Sequence, residues 1–467
     1  MKLLKLDLKK IYSNSFTRTF YFLSDKTYYL FGLTCVLGIY ISYFNYLDWS
    51  GDYALYILQG KYFSIGEVNS LIKNMRLSLS LSQNINPYSP DYYPWGLPLF
   101  IYLTSFLHNW NIVFIKFLNP VSIFFIFIIL NFSSKEKTLQ KYLLSVLAIV
   151  YSNNLLFYLI IQPSIFASLF LLLSYFCFDK NKKNYSVLFF LIACLVRTNF
   201  IFFSIYFLFN QKFIENLKYF SKVFLCFVGT YFTFFSYYKL NIFGNYEFIP
   251  IFEIKNDVFR FQSLYNSMVD FLIKLSELLF FNRLPASTYI GLLIVLIFIY
   301  LSFKNLNFSV ILFFLLFTFL INHFFYLIDV KRILTPIIFI ILYFASKEKL
   351  DKKIVIFLIF FTFYNILNTF LIIQNIDKSQ NVLNEQFNDV VVVINNEYKS
   401  ELIGFHKPRI LMLYSTVVSY KLTQENFDDY IKNSLVLCDK SFFNCPEFSY
   451  ETLYENEGFK IIKEFKK

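Results

Sequence analysis

Residues 28–60 read YYLFGLTCVLGIYISYFNYL-DWSGDYALYILQG, an uncharged run from Tyr28 to Leu47 followed at once by Asp48, Trp49 and Asp52. A run of that length and polarity can cross a bilayer as a helix. Polar loops at the mouth of a membrane bundle hold ionised groups at little cost, and neighbouring spans supply a cleft open to lipid. The stretch therefore predicts a membrane span that ends at a candidate active site.

Composition agrees with that solvent. Hydrophobic residues make up 57% of the 467-residue chain and charged residues 16%, with a mean hydropathy of +0.52. Such a chain is too apolar for an ordinary soluble domain. Phe and Tyr are abundant, which reads as a coding bias and carries no function. The net charge of +12 is spread in short clusters between apolar runs, so it points to membrane orientation and away from nucleic acid.

Working outward, apolar segments recur at Phe114–Phe132, Tyr142–Ile161, Ser164–Phe178, Phe220–Tyr238, Thr288–Phe303, Phe308–Leu327, Ile333–Phe344 and Ile354–Ile373. The run Val187–Phe209 is broken by Arg197-Thr198-Asn199 and reads as two shorter helices at a polar turn. Together they predict an all-α polytopic membrane protein of about eleven membrane helices. Lys2, Lys5, Lys9, Lys10, Arg18 and Lys26 precede the first span and set the amino terminus in the cytoplasm. The later lysine clusters then fall inside if the Arg197 turn faces back. Trp49, Trp95 and Trp110 fall at the outer boundary, where interface anchoring puts tryptophan. Gly96–Lys116 is expected in the interface, because it carries Lys116. No cleavable signal peptide is expected, since the first span is long and follows a basic tail.

Three parts follow: a cytoplasmic tail over 1–27, a polytopic membrane domain over 28–375 with outer loops 48–95 and 241–287, and a small extracytoplasmic α/β domain over 376–467. In the last, strand-like runs are expected at Val390–Ile394, Leu402–Phe405, Leu435–Cys438 and Lys460–Phe465. Pro408 can open a helix, Thr423 can cap Glu425–Lys432, and Gly458 can close a helix that starts near Ser449. Cys35, Cys177, Cys194 and Cys226 read as apolar filler, whereas Cys438 and Cys445, in an oxidising compartment, suit a disulfide.

His108, His323 and His406 are far apart, and no Walker loop, HExxH, GxGxxG or GxSxG elbow accompanies them. What remains is an order of motifs. Gly51-Asp52-Tyr53-Ala54-Leu55-Tyr56 opens the first outer loop and Tyr93-Pro94-Trp95-Gly96-Leu97-Pro98 closes it. Leu195-Val196-Arg197-Thr198-Asn199 forms a mid-chain turn, Asp329-Val330-Lys331-Arg332-Ile333-Leu334-Thr335-Pro336 opens a late span, and Gly404-Phe405-His406-Lys407-Pro408-Arg409-Ile410-Leu411 lies in the last domain. In order and predicted side these resemble the GT-C membrane glycosyltransferases, of the bacterial type related to protein O-mannosyltransferases and aminoarabinose transferase. Two departures stand out: Tyr53 occupies the place of a second acid, and Gln162-Pro163-Ser164 replaces a Ser-Glu-x-Pro-like segment.

The resemblance implies transfer of a sugar from a polyprenyl-phosphate donor to a hydroxyl of a lipid, glycan or protein acceptor, with inversion, at the outer face of a bacterial plasma membrane. Asp52 is then the base, Arg332 and Lys331 bind the donor phosphate, and Arg197 is a third phosphate contact. Asp48, Tyr92, Tyr93 and Trp95 line the substrate cleft. No cofactor or nucleotide is implied, a divalent metal being left open. Each residue also has a plainer use. Asp52 suits a helix cap, Lys331 and Arg332 suit interface anchoring, Arg197 suits a backbone contact, and Glu247, Glu253 and Asp257 suit solvated loop positions. The alternatives are a lipid or polysaccharide transporter or flippase, a surface-polysaccharide polymerase or ligase, and a catalytically dead scaffold. Acids gathered outside the spans favour chemistry over transport.

Overall fold

The computed structural model describes residues 52–81, 93–133, 143–144, 146–148, 161, 163–208, 213–237, 259–280, 287–304, 307–324, 330–347, 352–374, 379–399, 401–423, 434–442 and 450–464. The chain is mostly helical with a small carboxy-terminal sheet. The helices are α1 Asp52–Ser64, α2 Val68–Leu81, α3 Gly96–Leu103, α4 Leu118–Ser133, α5 Pro163–Asp179, α6 Lys183–Val196, α7 Phe213–Tyr237, α8 Phe261–Phe280, α9 Ser287–Lys304, α10 Asn307–Phe324, α11 Val330–Lys347, α12 Lys352–Gln374, α13 Ser379–Glu397 and α14 Pro408–Tyr414, with a 3-10 segment Thr198–Leu208 after α6. The expected span Tyr28–Leu47 lies outside the described residues, as does most of Tyr142–Ile161.

Among the described residues one helical run, Phe114–Ser133, is long and apolar enough to cross a membrane, and several shorter helices are apolar as well. Their apolar residues point both ways. Within α11, Leu334, Ile337, Ile338 and Phe339 are buried, while α9 exposes Leu292, Leu293, Leu296 and Ile297 and α12 exposes Phe360, Phe363, Ile366 and Leu367. Small hydroxyls tie neighbours together: Ser174 Oγ on α5 donates to the Ser186 carbonyl of α6 at 2.7 Å, and Ser133 on α4 meets Ser346 on α11 at 2.7 Å. Lys116 is buried at 4% exposure, within the Phe114–Ser133 run.

One end of this body carries a polar tie that sequence patterning does not reveal. Asp179, the last residue of α5, accepts hydrogen bonds from Tyr206 Oη at 2.8 Å and Tyr343 Oη at 2.5 Å, and pairs with Lys347. Lys347 Nζ also stands 4.2 Å from the Tyr343 ring centroid. Four polar groups from α5, the 3-10 segment and α11 thus satisfy one another. Asp179→Asn leaves the ammonium without its carboxylate in a partly dry setting, and is expected to cost about 2–3 kcal/mol. Thermal unfolding in detergent checks this, with Tyr343→Phe costing less because it removes only one neutral donor.

The carboxy-terminal domain is α/β. Its strands are β1 Leu402–Phe405, β2 Val418–Lys421, β3 Leu435–Asp439, β4 Tyr450–Glu455 and β5 Phe459–Glu464, in the order β2-β1-β3-β5-β4. β1 is parallel to β2 and β3, whereas β5 is antiparallel to β3 and β4. All five residues of β3 are buried. An apolar strand covered on both faces has no reason to alternate. α13 packs on β5 and α14 on β1 and β2, while α2, from the segment expected to be the first outer loop, packs against β2. Leu81 of α2 touches the cluster of Tyr420, Leu422, Val436, Cys438 and Ile462.

Two local expectations are corrected. Val390–Ile394 is part of helix α13, where Phe387, Val390, Val391 and Ile394 are buried and Val392 is exposed; the helical period of the whole segment overrides the β propensity of four valines. The helix expected from Ser449 to Gly458 is instead strand β4, with Gly458 in the turn to β5, because pairing with β5 satisfies its backbone. β1, β3, β5 and the Pro408 helix fall where expected, and Glu425–Lys432 lies outside the described residues. Cys438 is disulfide-bonded. Cys177, Cys194 and Cys226 are free, so its partner lies outside the described residues, as the expected Cys445 does.

Candidate functional site

Helix α1 starts at Asp52. Tyr53, Ala54, Leu55, Tyr56, Ile57 and Leu58 are all buried, as suits a helix apolar around its whole circumference. Gln59 interrupts that surface, and a buried amide must find partners. It finds them in one residue: Gln59 Nε2 donates to the Tyr93 carbonyl at 3.1 Å and Gln59 Oε1 accepts from the Tyr93 amide at 3.0 Å. The Tyr56 and Tyr93 rings stack at 4.5 Å between centroids. The helix that opens with Asp52 and the Tyr93–Pro98 segment are thereby held in one register.

The glycines of these two segments allow the next contacts. A Cβ on Gly60 would lie 3.1 Å from the Pro98 carbonyl oxygen and 3.3 Å from the Trp110 ring. Trp110 is set there by an unusual turn with positive φ at Asn109 and Trp110. The Trp110 amide donates to His108 Nδ1 at 3.0 Å, and His108 Nε2 sits 3.0 Å from the Ile101 carbonyl. Those roles need a neutral imidazole with its proton on Nε2. A Cβ on Gly96 would lie 2.5 Å from the Leu195 carbonyl carbon and 2.6 Å from the Val196 amide nitrogen. Main chain meets main chain here, so α3 touches the end of α6 directly.

That end carries Arg197. The residue is extended (φ −143°, ψ 111°), breaking the helix before the 3-10 segment. Its Nη1 donates to Ser164 Oγ at the start of α5. Two residues on, Asn199 Nδ2 is buried without a hydrogen-bond partner among the described residues, a donor that a bound group at this turn would satisfy.

The last domain reaches the same place. α14 packs on α1, the Arg409 guanidinium lies 5.8 Å from the Tyr93 ring centroid, and the Tyr53 hydroxyl interacts with the Tyr414 phenol. Burial pushes that phenol up to about 12 against the opposing effect of Tyr53.

The sequence-predicted residues thus divide. Tyr93 is held directly on the helix of Asp52 by Gln59 and Tyr56, and Gly96, next to Trp95, meets the main chain of Leu195 and Val196, next to Arg197; the Asp52 carboxylate is not among the described atoms. Asp48 and Tyr92 lie outside the described residues. Lys331 and Arg332 occupy the first turn of α11, with undescribed side chains. α11 packs on α4, α5, α8 and α10, whereas α1 packs on α2, α3 and α14. Gln59, Ser164, Arg409 and Tyr414 belong to the constellation and were missed; the one signal for Gln59 is a lone amide in an apolar helix.

His406, beside this junction, is buried, and its pKa falls to about 3 through burial and then the charges of Lys407 and Lys421. Asp439 Oδ2 is 3.7 Å from His406 Nε2, too long for a hydrogen bond, and Asp439 Oδ1 is taken by the Ser441 amide and hydroxyl. The imidazole is therefore neutral. Because its folded pKa lies below the unfolded value near 6.5, the unfolded chain binds the extra proton first. Stability is untouched above about pH 6.5 and is lost as pH falls toward 3, by about 2–4 kcal/mol. Urea unfolding at stepped pH measures this, with His406→Gln expected to flatten the acid side.

No family model matches the chain, and neither a curated protein nor a solved structure matches it.

Proposed function

We propose that this chain is an integral membrane glycosyltransferase of GT-C type, moving a sugar from a polyprenyl-phosphate donor to an acceptor hydroxyl on the outer face of a bacterial plasma membrane. One observation carries this: the junction in which Gln59 grips Tyr93 while Gly96 sets α3 against the Arg197 turn. The motif 41 residues downstream of Asp52 (93 − 52) packs on its helix and in turn meets the Arg197 turn, 145 residues downstream of Asp52 (197 − 52). A shared site needs that convergence, and independent packing motifs do not.

In the proposed reaction the Asp52 carboxylate takes the proton of the acceptor hydroxyl as its oxygen bonds to the anomeric carbon. The bond from that carbon to the phosphate oxygen breaks, and the lipid phosphate leaves with the electron pair. Arg197, with Lys331 and Arg332 from α11, stabilises the departing anion. Tyr93 and Trp95 line the cleft, with Asp48 and Tyr92 beside them. Outward-facing leucines and phenylalanines on α9 and α12, and helices joined by serines, favour hydrocarbon as the surroundings of a polytopic body. The Cys438 disulfide favours an oxidising compartment for the last domain.

The test is transfer of radiolabelled sugar from polyprenyl-phosphate donors to hydroxyl acceptors by the full chain in proteoliposomes. Labelled product whose formation needs the lipid-linked donor is the expected result. Donor moved across the bilayer with its sugar still attached would instead assign a flippase.

A further inference from the structure

We propose that the 3-10 segment Thr198–Leu208 is a two-state strap: ties to α5 hold it in a long form, and their release lets it shorten into α-helix and draw Arg197 away from the Gly96 junction. The change of length does not require that transfer takes place. Its consequence for the site rests on the reading of Arg197 given above.

A 3-10 run of 11 residues is long, because poorer hydrogen-bond geometry usually ends such runs within three or four residues. Three ties to α5 favour the longer rise here. Arg197 Nη1 donates to Ser164 Oγ at the start of α5, Tyr175 Oη donates to the Phe203 carbonyl at 2.8 Å, and Tyr206 Oη donates to Asp179 Oδ1 at 2.8 Å. The ties pair in chain order, so the two elements run the same way.

Spacing then selects the form. Tyr175 and Asp179 stand about 6 Å apart along α5 at the rise of an α-helix. Phe203 and Tyr206 match that at about 6 Å with the rise of a 3-10 helix, whereas an α-helical strap would offer about 4.5 Å. From Ser164 to Asp179 the rise of α5 is about 22 Å. Arg197 and Tyr206 span about 18 Å in the 3-10 form and about 14 Å as α-helix, so the long form is the one whose side chains reach both anchors.

The sequence serves both forms. Phe200, Phe203, Ser204 and Phe207 are buried and share one face at α-helical spacing. Phe200, Phe203 and Tyr206, also buried, share one face at the three-residue spacing of a 3-10 helix. The same phenylalanines can meet the core either way, and the hydroxyl of Tyr206 on Asp179 distinguishes the long form. Shortening by about 0.5 Å per residue moves one end of the strap by about 5 Å. The Phe200 amide holds the Arg197 carbonyl at 3.0 Å, so Arg197 travels with the strap and gives up Ser164.

Nitroxide side chains at Thr198 and Leu208 report the length of the strap in the full chain in nanodiscs. They are introduced as encoded amino acids, because Cys177, Cys194 and Cys226 are free thiols. Dipolar coupling in the wild type should give a separation of about 20 Å. Tyr206→Phe and Tyr175→Phe should each populate a second separation of about 15 Å, and the double variant should populate it most. A wild type already at the short separation, or the long separation alone in all three variants, overturns the proposal. Should the double variant misfold by circular dichroism, the single variants decide. Sugar transfer by the same proteins is measured alongside. A shift to the short form with undiminished transfer keeps the strap and removes Arg197 from the site, and absence of transfer from every protein leaves the distances to decide the strap alone.

Discussion

Asp52→Asn is expected to lower sugar transfer by about a hundred- to ten-thousandfold while the protein inserts and unfolds as before. Asparagine keeps the shape of aspartate and caps a helix about as well, so a residue at the start of α1 that merely capped it would cost almost nothing when changed. An amide cannot accept the hydroxyl proton at neutral pH. Any large loss therefore reports the charge rather than the helix. The assay compares initial transfer rates of purified wild type and variant at matched amounts in proteoliposomes, with thermal unfolding run alongside. Transfer within a few-fold of wild type would remove Asp52 from the chemistry and leave it as a cap. Tyr53 stands where the GT-C resemblance would place a second acid; it is buried on α1, so of the pair Asp52-Tyr53 only Asp52 brings a negative charge.

Gly96→Ala is expected to be, with Gly291→Ala on α9, where an added carbon would lie 2.1 Å from the Leu272 carbonyl oxygen, one of the two most damaging added methyls among the described glycines. In an ordinary helix the change from glycine to alanine stabilises by about 1 kcal/mol. Here the added carbon would meet the Leu195 carbonyl carbon at 2.5 Å and its oxygen at 2.6 Å. Overpacking costs about 1–3 kcal/mol even where side chains can move, and main chain on both sides has no rotamer to give. The clash therefore outweighs the propensity gain. Relief requires α3 to move off α6, which separates Tyr93 and Trp95 from Arg197, so transfer should fall together with the unfolding temperature. Gly229 on α7 provides the control, since nothing lies within 4 Å of its added carbon. There alanine should be neutral or stabilising. A Gly96→Ala protein as stable as wild type would show that the α3–α6 junction is looser than drawn.

Much of the architecture could be read from residues alone. The apolar runs at Ser164–Phe178, Thr288–Phe303 and Ile354–Ile373 lie within α5, α9 and α12, because 15 to 20 mostly apolar residues in a row leave the backbone no better way to satisfy itself than a helix. The break at Arg197 was legible for the same reason, a charge and two polar residues set inside an apolar run. α8, Phe261–Phe280, was overlooked: with Asp270, Lys274 and Glu277 along it, it reads as loop until its apolar face finds α9 and α10. The valine run of α13 misled because local propensity is weak beside the period of the whole segment.

For the site, the sequence determined by itself which groups exist and in what order: an acid after the first apolar run, an aromatic and glycine-containing closing motif, an arginine in a polar turn, and cations before Pro336 and around Pro408. Chain spacing alone cannot say which of these meet. Only the tertiary structure decided that Gln59 holds Tyr93, that Gly96 brings the closing motif to Arg197, and that α2 covers a sheet more than three hundred residues further along. Those contacts depend on backbones approaching from distant parts of the chain and on a missing side chain to let them touch. Neither leaves a periodic trace along the sequence.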